Sequence, residues 1–161
     1  MSQKIDETDL KQFAEIEMRN MAPILKAIGI HFTEEMLWED LRENQEFVSI
    51  SQEGRVVAFM RFQQMEDSAI FIKSIQLASP EKDKVLLRTL LRKFIKKLKT
   101  RKFSRLVTTV QKSNKESIRF HERLGFQVDE EFQSAVRFEL SREQFIGRNY
   151  LRLGLSEENS F

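Results

Sequence analysis

The sequence predicts a mixed α/β (α+β) domain, a central and mostly antiparallel sheet with helices on both faces. Three observations carry this. The apolar pattern runs in the order α-α-β-β-β-α-β-α-β-β. A long amphipathic helix and a parallel-type crossover lie between two antiparallel stretches, which requires helices over a mixed sheet. The chain has 161 residues, 40% hydrophobic and 32% charged, which suits one globular domain with a core over about 6–145 and a carboxy-terminal tail over 146–161.

Taken in order, Asp6 to Met21 reads as a helix with Phe13, Ile16, Glu17 and Met21 on one side, Thr8 near its cap, and Pro23 interrupting it. Thr33, followed by Glu34 and Glu35, caps a second helix that buries Met36, Leu37 and Leu41 and ends near Asn44. Glu46 to Ile50 and Arg55 to Phe62 are strands around the hairpin signal Gln52-Glu53-Gly54. The second is apolar on both faces, as a central strand is. The polar turn Met65-Glu66-Asp67-Ser68 leads into a third strand, Ala69 to Ala78. Ser79-Pro80-Glu81 is a helix start, and Leu86, Leu90, Phe94 and Leu98 then repeat every four residues. The outer face of that helix carries Arg92, Lys93, Lys96, Lys97 and Lys99. A short buried strand, Arg105 to Val110, precedes a helix opened by Asn114 and ended by Gly125. Strands at Phe126 to Val128 and Ala135 to Leu140 follow, then a short helix from Ser141.

Composition excludes several classes. With no cysteine there is no disulfide framework, thiolate zinc site or cysteine nucleophile, and two histidines make a histidine-rich metal site unexpected. The polar amino terminus is no signal peptide, no apolar run matches a bilayer, and a cytoplasmic setting is expected. The formal net charge is only +2, but residues 1–53 hold 5 basic and 12 acidic side chains while residues 81–105 hold 11 basic and 2 acidic. Such polarity either serves two solvated helix faces or biases a cleft electrostatically. The basic stretch Lys93 to Lys102 offers only Phe94 and Phe103 as aromatics, both at apolar positions, so a nucleic-acid platform is not expected.

The most informative stretch is Ser113 to Phe126, Ser-Asn-Lys-Glu-Ser-Ile-Arg-Phe-His-Glu-Arg-Leu-Gly-Phe. Read singly, Asn114 is a helix cap and Gly125 a helix stop. Together they resemble the signature N-x-x-[AS]-x-x-[LF]-Y-x-x-x-G-F of the GNAT superfamily of N-acetyltransferases, with Asn114, Ser117, Phe120, Gly125 and Phe126 in register and His121 at the tyrosine position. In outline the resemblance extends from Asp6 to Phe145. It implies a GNAT-like acyl-CoA N-acyltransferase fold whose sheet splays between the family's strands 4 and 5, here Ala69 to Ala78 and Arg105 to Val110. It further implies acetyl-CoA as acyl donor in that gap, its pantetheine along Ile75, Gln76 and Leu77. The Leu77 backbone amide would face the thioester carbonyl, and Asn114, Ser117 and Phe120 would line the thiol arm. An amine would attack directly, through a tetrahedral intermediate and with no covalent enzyme intermediate and no metal. His121 stands where the family's tyrosine commonly protonates the leaving thiolate. It reads either as that acid or as a surface helix residue.

The family's pyrophosphate pattern [RQ]-x-x-G-x-[GA] aligns with Lys82-Asp83-Lys84-Val85-Leu86-Leu87, which contains no glycine and sets Asp83 against phosphate. Side chains at Asp83, Val85 and Leu87 obstruct the close approach glycine allows. Lys82, Lys84 and Arg88 are the available cations. No carboxylate or histidine lies on Ala69 to Ala78 to act as base; Glu34, Glu35 or a water chain are the alternatives, and His31 would line the acceptor entrance. The expectation is therefore an N-acetyltransferase acting on a small or protein amine, favoured to be cationic by the acidic first third. The alternative is a non-catalytic GNAT-like module that has lost normal CoA binding. A homodimer is compatible with either.

Overall fold

The computed structural model describes residues 5–79 and 83–152. The element order is α1 (Glu7–Ala27), α2 (Glu34–Leu41), β1 (Glu46–Gln52), β2 (Arg55–Gln64), β3 (Ala69–Leu77), α3 (Lys84–Leu98), β4 (Arg105–Gln111), α4 (Lys115–Leu124), β5 (Gln127–Glu131), β6 (Ala135–Ser141) and α5 (Arg142–Arg152). The six strands form one mixed sheet in the order β1-β2-β3-β4-β6-β5, flanked by helices. This is the predicted fold class. Among the described residues Ala69–Leu77 is the third strand in chain order, as the sequence predicts.

The chain divides into two compact units. The first comprises Met1–Phe62 with Ser74–Leu90. Here β1 and β2 pair antiparallel from Glu46↔Phe62 to Gln52↔Arg55. Glu53 and Gly54 both take positive φ, 52° and 78°, as a two-residue turn of type I′ requires. The core is built on Phe13, Ile16, Val56 and Phe59, with Phe13 stacked on Phe59 at 4.5 Å and on Phe47 at 5.1 Å. Each such ring pair adds about 0.5–1.5 kcal/mol to its apolar burial. Ala14, Leu37 and Leu41 form a second cluster against α2.

Asp6 caps α1, accepting from the amide of Thr8 in the first turn at 3.1 Å, and four local readings are corrected in this unit: the first is Pro23, which lies inside the helix instead of ending it. Proline there forfeits only the bond the Arg19 carbonyl would accept, and the packed face of α1 outweighs that loss. Thr33 caps α2 as expected, accepting from the Met36 amide at 3.2 Å, but the helix stops at Leu41 and Met36 is 48% exposed. The start of α3 also differs. Pro80 and Glu81, in the predicted start, lie outside the described residues, and the helix opens at Lys84 behind Asp83.

The second unit comprises Gln63–Lys73 with Leu91–Phe161. Its sheet joins β3 to β4 in parallel from Ala69↔Arg105 to Ile72↔Thr108. The buried Thr108 hydroxyl donates to the Ile72 carbonyl at 3.0 Å and reinforces that edge. The whole of β4, Arg105 to Gln111, then pairs antiparallel with β6, and β5 pairs antiparallel with β6 beyond it. Leu106, Phe138, Leu140 and Phe145 are buried, as are Phe94, Ile95 and Leu98 from α3. At α4, the Asn114 side chain accepts from the Ser117 amide at 3.3 Å, and Gly125 ends the helix in the left-handed region at φ 100°. Phe126 is buried, one residue ahead of β5.

Candidate functional site

In the first unit the end of β3 meets α1. Strand backbone alternates its hydrogen-bonding edge from residue to residue. The Ala78 amide donates to the Val57 carbonyl of β2 at 2.8 Å, so the backbone groups of Leu77 point to the opposite edge. There the Leu77 carbonyl accepts from the Asn20 side chain of α1 at 2.9 Å, not from a strand. Asn20 also donates to the Gln76 side-chain oxygen at 3.0 Å, and Gln76 in turn donates to the Ser74 hydroxyl at 2.8 Å. Arg19 donates to the Ala78 carbonyl. Gln76 is buried and fixed, whereas Ile75 and Leu77 are half-buried. Asn20 and Arg19 give no sequence signal, being polar residues on a helix; only the fold brings them to β3.

The start of α3 lies in the same unit. Lys82 lies outside the described residues. One carboxylate oxygen of Asp83 accepts from the amides of Val85 and Leu86, both at 3.0 Å, and its carbonyl accepts from the Leu87 amide at 3.0 Å. Asp83 is thus the N-cap of α3, and a carboxylate holds the amides at the positive end of the helix. Lys84 is exposed, Leu86 is buried, Leu87 is half-buried, and Val85 is 73% exposed. An open cleft of about 800 Å³ adjoins this turn, lined among others by Gln52, Val57, Ser79, Asp83 and Val85. The Val85 and Leu86 amides in the first turn of α3 thus already serve an internal carboxylate.

A third feature is a buried ion cluster. Arg61 of the central strand β2 is 5% exposed and Glu17 is 3% exposed, and the two meet at 3.1 Å. Arg61 reaches Asp40 at 2.5 Å and the Gln45 side chain at 3.3 Å. This explains why Glu17 falls on the apolar side of α1: its partner is a guanidinium in the sheet. The candidate bases are elsewhere. Glu34 accepts from the Trp38 indole at 3.4 Å on the surface, and Glu35 and His31 are exposed.

In the second unit α4 presents the residues of the informative stretch. Ser117 and Phe120 lie on it, and His121 is buried at 4% exposure, which removes the surface-residue reading. Its ring stacks on Phe138 at 5.8 Å and meets Phe120 and Phe126 edge-on at 5.3 and 5.2 Å. Nδ1 lies 2.7 Å from the Ser117 carbonyl, so this nitrogen carries the proton and donates it. Nε2 is then the acceptor, buried with no hydrogen-bond partner among the described residues. Burial drives the imidazole below its ordinary pKa, against a smaller opposing effect of the Ser117 carbonyl, so the ring is neutral at pH 7. Among the described residues no group of three or more potential metal ligands occurs, and no helix is long and apolar enough to cross a membrane.

The description "Acetyltransferase (GNAT) family" matches residues 10–126, and the chain belongs to that family. The match ends on Phe126, the last residue of the stretch that carried the resemblance. No curated protein matches the sequence. Among solved structures the chain is similar to the PaiA N-acetyltransferase of Thermoplasma acidophilum in complex with coenzyme A, with 16% identity, 86% of this chain and 96% of that chain covered, and a TM-score of 0.67. It is similar to the ribosomal-protein-S18-alanine N-acetyltransferase of Escherichia coli, with 23% identity, 86% and 91% covered, and a TM-score of 0.66. An N-acetyltransferase of Staphylococcus aureus gives 20% identity, 88% and 97% covered, and a TM-score of 0.62. At these identities the likeness is one of fold.

Proposed function

We propose that the chain transfers the acetyl group of acetyl-CoA to a primary amine by direct attack. The family match over residues 10–126 carries this reading. Acetyl-CoA supplies an activated thioester. The chain supplies position: Ile75, Gln76 and Leu77 offer backbone to the pantetheine arm, and Asn20 fixes the Leu77 carbonyl on the edge turned away from β2. The Leu77 amide, on the edge turned away from β2, donates to the thioester oxygen as charge develops there. Asn114, Ser117 and Phe120 of α4 contact the thiol arm; as the C–N bond forms and the C–S bond breaks, the amine releases a proton to water and the leaving CoA thiolate takes one from protonated His121 Nε2. A neutral imidazole must first take up a proton to act as that acid, so this role belongs to the acidic side of neutrality. An acidic first third, 12 acidic against 5 basic side chains in residues 1–53, favours a cationic acceptor.

The test is release of free CoA thiol when the chain meets acetyl-CoA and a panel of amines: a polyamine, an aminoglycoside, a lysine peptide and a peptide with a free amino terminus. The protein has no cysteine, so a thiol reagent reads product alone. Amine-dependent thiol release supports the reading; none with any amine, at millimolar donor, returns the chain to a non-catalytic module. Asp83 on the α3 amides is the observation that favours that second reading.

A further inference from the structure

The cap of α3 bears on which acyl donor this chain takes. Of the amides in the first turn of α3, those of Val85 and Leu86 both point at one Asp83 oxygen, at 3.0 Å, and the Leu87 amide is used by the Asp83 carbonyl. A helix N-terminus attracts anions because its amides lack partners and its dipole is positive. In this chain both attractions are spent on an internal carboxylate. A diphosphate arriving at that turn must displace the Asp83 side chain and then lie beside it with like charge. Val85, 73% exposed on the same turn, adds bulk where close approach is required. The other end of a thioester donor meets no like charge. On the outward edge at Leu77 the carbonyl accepts from Asn20, a neutral side-chain amide that an amide of the pantetheine arm would displace.

We propose that Asp83 makes the chain selective for acyl thioesters gripped by their pantetheine arm, with little contribution from a nucleotide diphosphate. This rests on the thioester-donor reading above. Free acyl-pantetheine and the same arm carried on a protein serine as a phosphodiester share this chemistry. The glycine-free turn and the carboxylate cap then form one device that removes preference for the nucleotide end of the donor.

Calorimetry with acetyl-CoA and S-acetyl-pantetheine tests it. In the native chain the two dissociation constants are expected to lie within about tenfold. Asp83→Gly frees the Val85 and Leu86 amides and keeps a residue tolerated at an N-cap. It should tighten acetyl-CoA about tenfold and leave S-acetyl-pantetheine unchanged within twofold. Asp83→Asn keeps the cap, removes the charge and should give a smaller gain, which covers the case in which the glycine variant is unstable. A serine peptide bearing the acetylated arm separates the two sources: tighter binding than free S-acetyl-pantetheine assigns a carrier-borne donor, equal binding a free one. A native preference for acetyl-CoA of a hundredfold or more, or an unchanged preference in both variants, overturns the proposal and leaves the acetyltransferase reading standing. If neither donor binds the native chain or either variant, both readings are overturned.

Discussion

The ring of His121 is enclosed by Phe120, Phe126 and Phe138, with one nitrogen bonded to the Ser117 carbonyl and the other unpartnered. Two measurements follow from that geometry. His121→Phe keeps an aromatic ring but removes the exchangeable nitrogen, and should lower turnover about a hundredfold with little change in the Michaelis constant for the donor. Native turnover should rise as pH falls toward the depressed imidazole pKa, and the variant should lose that rise; a variant with native turnover at every pH removes His121 from proton transfer. Stability carries the opposite sign. The folded pKa lies below the unfolded value of about 6.5, so the unfolded chain binds more protons on the acidic side. The contribution of a neutral His121 is complete above that value and is lost as pH falls from there toward the folded pKa. Urea midpoints between pH 5 and 8 should show this loss in the native chain and less of it in His121→Phe. Arg61 is the second residue of consequence. Arg61→Met leaves Glu17 buried without its counter-ion and should cost about 3–5 kcal/mol, part of which Glu17→Leu in the same chain should restore.

Among the elements, α4 shows how far local rules reach. Asn114→Ala removes a cap worth about 1 kcal/mol, whereas Asn114→Asp retains it. Gly125→Ala forces a Cβ into φ 100° at a cost of roughly 1–2 kcal/mol. Urea denaturation of the three variants checks both, and an unchanged midpoint in Gly125→Ala would show that the turn has relaxed. These features were legible from the sequence because capping and left-handed turns depend on residues within one turn of each other. The same holds for Thr33 on α2 and for the turn at Glu53 and Gly54. Pro23 misled because tertiary packing of Phe13, Ile16 and Glu17 overrides one lost helical bond. Met36 misled because a helix of eight residues buries a narrow stripe, here Leu37 and Leu41. At α3, serine with proline is a strong start signal, yet Asp83 caps the helix. Asn20 beneath β3 and Arg61 opposite Glu17 were illegible for a different reason: the bonds between Asn20 and Leu77 and between Glu17 and Arg61 join residues 57 and 44 positions apart, and no local pattern encodes such a pairing.

On the scale of the whole molecule, ligand binding and folding are one linked equilibrium, which gives the donor reading a test independent of catalysis. A donor that binds only the folded chain stabilises it by about 2.7 kcal/mol at a hundred times its dissociation constant. For 161 residues each kcal/mol raises the melting temperature by about 2–4 °C, so the expected rise is about 5–10 °C. If Asp83 weakens the hold on the diphosphate tenfold, acetyl-CoA reaches the same shift only at tenfold higher concentration, and the titration must run to millimolar donor. The shape of the series then carries the information. S-acetyl-pantetheine should raise the melting temperature along nearly the same curve as acetyl-CoA in the native chain, and the two curves should separate in Asp83→Gly. ADP alone, which presents a diphosphate without the arm, should produce no shift in the native chain. A rise with ADP as large as that with acetyl-CoA would mean that the first turn of α3 admits phosphate despite its capping carboxylate. A flat response to every thioester would mean that the fold is kept without the donor.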